Sequence, residues 1–267
     1  MTEKLMEIRD VTQRFRSAER EVVAVSRVSV QVDAGSVTCL VGESGSGKTT
    51  LARIAAGLDK PTAGSIHYQG QDISQLRGPD SMRFRREVQY VHQDPYASLN
   101  PTRTVLSTVL SALGARRNRT RRRATELLER VELTPADLFL ERYPHQLSGG
   151  QRQRVALARA LATEPALIIA DETTSMLDAS IRGSMINLLS ELRDDLGVGF
   201  LFITHDFTLA RHFAWRGRTA VLYLGELVEY GPTPEVMDAP RHAYTKALID
   251  ALPMIRFDDA DVPNGAP

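Results

Sequence analysis

Residues 42–49 read GESGSGKT and carry the pattern G-x-x-x-x-G-K-[ST]. Such a loop can cradle phosphate. Gly42, Gly45 and Gly47 let the backbone wrap closely with its N–H groups aimed inward, and the positive end of a following helix adds to the attraction. Lys48 is expected to reach the β- and γ-phosphates of a nucleotide, and the Thr49 hydroxyl to coordinate Mg2+. Glu43, Ser44, Ser46 and Thr50 complete the candidate phosphate-binding set. The flanks separate this stretch from an incidental glycine turn. Residues 36–41 (SVTCLV) form an apolar, β-branched run that predicts a strand, and TTLARIAAGL from Thr49 predicts a helix.

Two further stretches carry polar groups where chemistry needs them. Residues 166–172 (ALIIADE) read as an apolar strand ending in two acids, which puts Asp171 and Glu172 at a strand's carboxyl end, where α/β sites sit. There Asp171 suits a second holder of Mg2+, and Glu172 can polarise an attacking water as general base. A solvated strand end is the bland alternative. Residues 147–154 (LSGGQRQR) put a good N-cap residue, Ser148, before Gly149, Gly150 and Gln151 and a helix. That builds either an anion-binding helix end or a cap with a flexible approach, and propensity does not choose between them.

These residues need elements to hold them. Residues 5–11 and 22–32 are valine-rich and alternating, which predicts strands; 64–68 and 88–92 predict two more. From Pro95 to about Gln146 helix formers dominate, and RRRATELLERVEL at 121–133 gives an apolar face through Leu127, Leu128, Val131 and Leu133. Strand–helix alternation then returns, with strands at 166–170, 199–204 and 219–225 and a helix over 180–196. The pattern is an α/β fold with a helical subdomain spliced in. A Pro-bearing stretch with short helical pieces begins at about Thr233, and residues 258–267 are expected to be disordered.

Composition bounds the rest. The 267 residues are 42% hydrophobic and 25% charged, ordinary for a globular chain. Thirty-three Lys and Arg balance thirty-three Asp and Glu, so no global charge argues for nucleic acid. One cysteine, Cys39, excludes an internal disulfide framework and reads as a small buried residue of the strand before the loop. No apolar run reaches the length of a membrane helix, and the N-terminus is too charged for a signal peptide. The expectation is an intracellular chain that meets a membrane through a partner. The arginine run at 116–123 is either a solvated helix face or an anion-attracting patch. His67, His145, His212 and His242 lack metal-ligand spacing.

In motif content and order the chain resembles the ATP-binding cassette (ABC) ATPases: GESGSGKT at 42–49, Gln93 in VHQDP, LSGGQ at 147–151, LIIADE at 167–172, SMLD at 175–178 and His205 in ITHD. The likeness covers about residues 5–230. It implies a P-loop core with an antiparallel β subdomain and an inserted helical subdomain, over residues 1–232 with the insertion at about 95–150. It also implies head-to-tail dimers in which ATP and Mg2+ lie between one subunit's loop and the other's Ser148–Gln151 stretch. Gln93 would then sense Mg2+ and the attacking water, Asp178 would touch the opposite subunit, and His205 would hold the γ-phosphate. Phe15 would stack on adenine, although as an apolar strand residue it fits a core equally well. Thr173 stands where the family often has proline, and His92 where an aromatic is frequent. The loop into Ser175 is therefore expected to be looser.

Residues 91–105, 143–161 and 225–253 narrow the likeness to ATPases of oligopeptide, dipeptide and nickel importers. The tail, residues 233–267, resembles that type, with Ala243 where proline is common. The resemblance implies an identical or paralogous ATPase partner, a transmembrane permease docked near Gln93 and residues 96–100, an extracellular substrate-binding protein acting indirectly, and a peripheral position on the cytoplasmic face of the membrane. Two other classes remain open: a soluble ABC ATPase of translation or DNA repair, and a regulatory nucleotide-binding module without turnover.

Overall fold

The computed structural model describes residues 4–16, 21–94, 98–113, 120–174 and 178–251. Outside them lie Tyr96, the first four arginine-run residues, the first three residues of SMLD with the approach to it from Ser175, and the tail end expected to be disordered.

Strands β1 (Lys4–Arg16) and β2 (Glu21–Asp33) pair antiparallel as a long ribbon. Val28, Val30 and Val32 bury one face of β2, the period-two pattern of a half-buried strand. After β3 (Val37–Val41) and α1 (Lys48–Ala55), β4 (Ala63–Tyr68) returns to pair with β1 and leads into the short β5 (Gln71–Asp72). This four-stranded antiparallel sheet has the order β2-β1-β4-β5.

The second sheet carries the chemistry. It gains β6 (Val88–Val91), which follows α2 (Gly78–Glu87). Next come the helices α3 (Val105–Ala112), α4 (Arg121–Arg130), α5 (Asp137–Leu140) and α6 (Gly149–Leu161). The chain then re-enters the sheet as β7 (Leu167–Asp171), leaves through α7 (Ala179–Leu196) and returns as β8 (Gly199–Thr204). Helix α8 (Phe207–Phe213), β9 (Arg218–Tyr223) and β10 (Glu226–Pro232) complete it. The order is β10-β9-β3-β8-β7-β6, parallel throughout except for the antiparallel edge strand β10.

Every residue of β3, β7 and β8 is buried, as parallel strands covered on both faces require. Alternate residues enter two separate cores. Leu40, Ile169, Leu201 and Ile203 face the antiparallel sheet and α1. Cys39, Val41, Ile168, Phe200 and Phe202 face the helices. The same helical-side core takes in Leu127, Leu128, Val131, Leu133 and Leu140, so the inserted helices are packed onto the sheet rather than hung from it.

Several expectations are adjusted. The helix expected over 121–133 stops at Arg130, because Glu132 takes a positive φ of 58° and turns the chain. Helices α2 and α8 and strand β10 lie where no element was expected. Leu99, in the stretch expected to dock a permease, is buried and so offers that partner no apolar side chain. Arg121 pairs with Glu141 at 2.6 Å, and Arg122 and Arg123 with Glu126, which makes that part of the arginine run a solvated, ion-paired helix face. In the tail, α9 (Thr233–Asp238) and α10 (Ala243–Asp250) pack on the core through Val236, Met237, Tyr244 and Leu248. Among the described residues no helix is long and apolar enough to cross a membrane.

Candidate functional site

Register builds the site. β8 lies between β3 and β7, with Val41 opposite Thr204 and Asp171 opposite Ile203. The residues just beyond, Gly42, His205 and Glu172, therefore emerge together at the carboxyl edge of the sheet, the usual location of α/β sites. Gly42, Glu43, Ser44, Glu172, His205, Phe207 and Leu248 line an open cleft of about 440 Å³ there.

The loop's shape depends on two glycines. Gly42 has φ 149°, and a Cβ built on it would stand 2.1 Å from the Leu222 carbonyl oxygen. Gly47 has φ 98°, and its Cβ would stand 2.2 Å from the Ala24 carbonyl oxygen. Both obstacles are backbone, so neither position accepts a side chain without moving a strand. Gly45 and the exposed Glu43 and Ser44 form the open tip, Ser46 is buried, and Thr49 and Thr50 begin α1.

Lys48 is buried with its Nζ donating to the carbonyl oxygens of Gly42 (2.8 Å) and Glu43 (2.7 Å). An ammonium held by its own loop can transfer those bonds to a polyphosphate. Burial holds its pKa below the ordinary lysine value, against the opposing pull of Glu172, Asp171 and Glu43. Nucleotide capture needs the protonated form, and kcat/KM reports the free enzyme. On the alkaline side kcat/KM for ATP is therefore expected to fall earlier than an unperturbed lysine would give. A pH profile flat into the ordinary lysine range would remove Lys48 as the titrating group.

Asp171 is 2% exposed. Its Oδ1 accepts from Thr49 Oγ1 at 3.1 Å and its Oδ2 from Tyr90 OH at 2.6 Å. Burial raises its pKa above the usual carboxylate value, and the neighbouring Glu172 adds to the rise, while the two hydroxyl donors oppose it. The Thr49 hydroxyl and the Asp171 carboxylate form an all-oxygen donor set, which fits a hard divalent cation such as Mg2+. Tyr90 was missed at the sequence level. It lies 81 residues from Asp171 and meets it only because β6 runs beside β7, with Tyr90 opposite Ile169.

Glu172 sits at φ 44°, a backbone conformation that costs a non-glycine residue roughly 1–2 kcal/mol. Its N–H donates to Ile203 O at 3.0 Å, which anchors it to β8. Gln93 Nε2 donates to Glu172 Oε2 at 3.0 Å, and His205 Nδ1 lies 3.6 Å from the same oxygen. The carboxylate is nearly enclosed, with 15% of its side chain exposed, whereas half of the imidazole is open to solvent. Asp206 fixes the backbone beyond His205 by capping α8 through Thr208 N at 2.8 Å. Thr173 and Thr174 are both buried.

The remaining candidates stand apart from this cluster. Ser148 caps α6 in a capping box: its Oγ accepts from Gln151 N (3.3 Å), while Gln151 Oε1 accepts from Ser148 N (3.0 Å). Gly149 and Gly150 open the same helix, and none of the four residues lines the cleft at the phosphate loop. Asp178 is exposed at the N-cap position of α7 without a side-chain cap bond. Phe15 is 51% exposed near the end of β1, opposite the equally exposed Val22, so it is not a core residue. Two residues on from Val22, Ala24 touches Gly47, which brings this apolar strip beside the phosphate loop.

The chain is similar to known proteins in both sequence and fold. The family model described as ABC transporter matches residues 25–175, and that described as the oligopeptide/dipeptide transporter C-terminal region matches residues 228–266. Among curated relatives, the glutathione import ATP-binding protein GsiA of Pectobacterium atrosepticum is 41% identical and that of Escherichia coli K12 42% identical. Each alignment covers 94% of this chain, and the chain spans 42% of the relatives' length. Among solved structures, the dimeric post-hydrolysis state of the ATP-binding cassette MJ0796 with ADP and Pi has a TM-score of 0.76 and 33% identity over 86% of this chain and 99% of that one. CbiO1 of Clostridium perfringens, part of the ABC transporter complex cbiONQ, gives a TM-score of 0.76 and 25% identity over 89% of this chain and 92% of that one. Motifs, sheet order and matched family model agree: the chain belongs to the ABC transporter family and has the fold of its ATP-binding cassettes.

Proposed function

We propose that this chain is the ATP-binding and ATP-hydrolysing subunit of an ABC importer. The observation that carries the reading is the convergence at one sheet edge of the Lys48 loop, the Thr49–Asp171 oxygen pair and the Gln93–Glu172–His205 cluster. Phe15 stacks on the adenine. Lys48 and the amides of residues 42–50 bind the phosphates, and Thr49, Asp171 and Gln93 hold Mg2+. The bound cation neutralises charge on the phosphates. Glu172 orients and deprotonates the attacking water, with Gln93 and His205 fixing its carboxylate.

Ser148, Gly149, Gly150 and Gln151 serve the nucleotide of a second ATPase subunit, identical or paralogous, and Asp178 touches that subunit. ATP favours the closed pair because it binds both faces, and hydrolysis removes that differential affinity. The likeness to MJ0796, solved as a dimer with ADP and Pi, supports this arrangement. We assign residues 1–232 to the ATPase domain, with the helical insertion at about 95–150, and residues 233–267 to a tail of peptide-importer type. The GsiA relatives support import, and the tail match favours a peptide or a similar small solute over the soluble translation or repair alternative. Transmembrane permease subunits, and through them an extracellular substrate-binding protein, complete the assembly at the cytoplasmic face of the membrane, without nucleic acid.

The purified chain is expected to release phosphate from ATP with Mg2+ present and to lose that activity when EDTA removes the cation. Complexes isolated from membranes should contain a permease chain. Phosphate release indifferent to EDTA, or recovery with ribosomes or DNA instead of membrane proteins, would overturn the reading.

A further inference from the structure

The tail is a motif-bearing segment to which the reaction described above gives no task. Its second helix, α10, is anchored on both sides. Glu229 of β10 accepts from the backbone N–H of Arg241 (2.7 Å) and His242 (3.2 Å). The His242 ring caps the helix by accepting from Tyr244 N at 3.2 Å. Thr245 is fully buried. The Tyr244 ring lies against Tyr223, with centroids 4.1 Å apart. One turn on, Leu248 lines the same cleft as Gly42, Glu172 and His205.

The decisive contact is at the start of the phosphate loop, where Glu43 N donates to Tyr244 OH at 3.2 Å across 201 residues. The Gly42–Glu43 segment is thus held from two directions. Its carbonyl oxygens take Lys48 Nζ, and the Glu43 amide is held by the tail. If Lys48 turned to a polyphosphate, those carbonyls would lose their donor, whereas the Tyr244 bond involves neither the lysine nor the carbonyls. The phenol oxygen has lone pairs with which to accept from the amide, and burial pushes its pKa above the ordinary tyrosine value.

We propose that Tyr244 is a positioning residue for the nucleotide site: the tail helix holds the phosphate loop in its binding shape from outside the ATPase core, and Leu248 supplies an apolar wall of the cleft. The inference rests on the nucleotide-site reading above. It gives the tail a task in ATP capture, and it explains why a His and a Tyr lie two residues apart in HAYTKALI: one starts the helix and the other reaches the loop.

The test uses the full chain and its Tyr244→Phe variant, which keeps the ring against Tyr223 and removes only the oxygen. KM for ATP is expected to rise about three- to tenfold, the usual weight of one hydrogen bond, with kcat and the thermal midpoint unchanged. In wild-type protein, saturating ATP should also slow amide hydrogen exchange in residues 243–250. If Tyr244→Phe lowers the thermal midpoint with KM unchanged, or leaves both unchanged, Tyr244 is a packing residue and the inference fails. That failure is distinct from failure of the nucleotide-site reading, which would appear as wild-type protein that neither binds nor hydrolyses ATP.

Discussion

Glu172→Gln is expected to retain ATP binding while phosphate release falls by about 10²- to 10⁴-fold, the usual contribution of a positioned general base. The substitution is nearly isosteric. It leaves the positive-φ backbone and its bond to Ile203 O in place, and the amide oxygen can still accept from Gln93 Nε2. What disappears is the basic oxygen pair. Because the hydrogen bonds of Lys48 go to the Gly42 and Glu43 carbonyls and the loop glycines do not touch the carboxylate, affinity for ATP should stay within a small factor of wild type. With hydrolysis blocked, the nucleotide keeps binding both faces of the pair, so the dimer should live longer. Phosphate release together with size-exclusion chromatography in ATP measures both effects. Full turnover by the variant would remove Glu172 from the role of base.

Ser148→Arg is expected to abolish hydrolysis, by more than about 100-fold, while nucleotide binding by the isolated chain remains nearly intact. Ser148 and Gln151 satisfy each other at the start of α6 and do not line the cleft beside the chain's own phosphate loop. A bulky guanidinium there obstructs a ligand brought by a second subunit, not one bound in cis. Loss of the cap alone costs about 1 kcal/mol of helix stability. Ser148→Ala, which loses the cap without adding bulk, separates that cost from obstruction. Fluorescent-nucleotide titration and phosphate release decide the matter: failure of the isolated Ser148→Arg chain to bind nucleotide would contradict the two-chain geometry.

How much the sequence revealed depended on the range of the interaction. The phosphate loop, β3 and β7 are legible because their signals are local: glycines at fixed spacing, and runs such as Ile168–Ala170 buried on both faces. The helical insertion showed as a loss of β-branched runs. Helix α2 did not show because GPDSMRFRRE buries one residue, Phe84, and carries no apolar stripe. Helix α8 has seven residues, too few for periodicity to speak. β10 is an edge strand whose five central residues are all half-buried, so it lacks alternation. The contacts that tune the site, Tyr90 on Asp171 and Tyr244 on Glu43, join residues 81 and 201 positions apart. No window of sequence encodes them, since they exist only after the strands and the tail have packed.

The shared level of β3, β8 and β7 has a mechanical consequence. Neighbouring strands stand about 4.8 Å apart, so the roots of Lys48's loop and of Asp171 are fixed two strand widths, about 9.6 Å, from each other. Any shift of the inserted helices would leave that span unaltered, because neither root belongs to them. The gauge between the two anchors is thus set once, at folding, by the strand spacing of the frame beneath them.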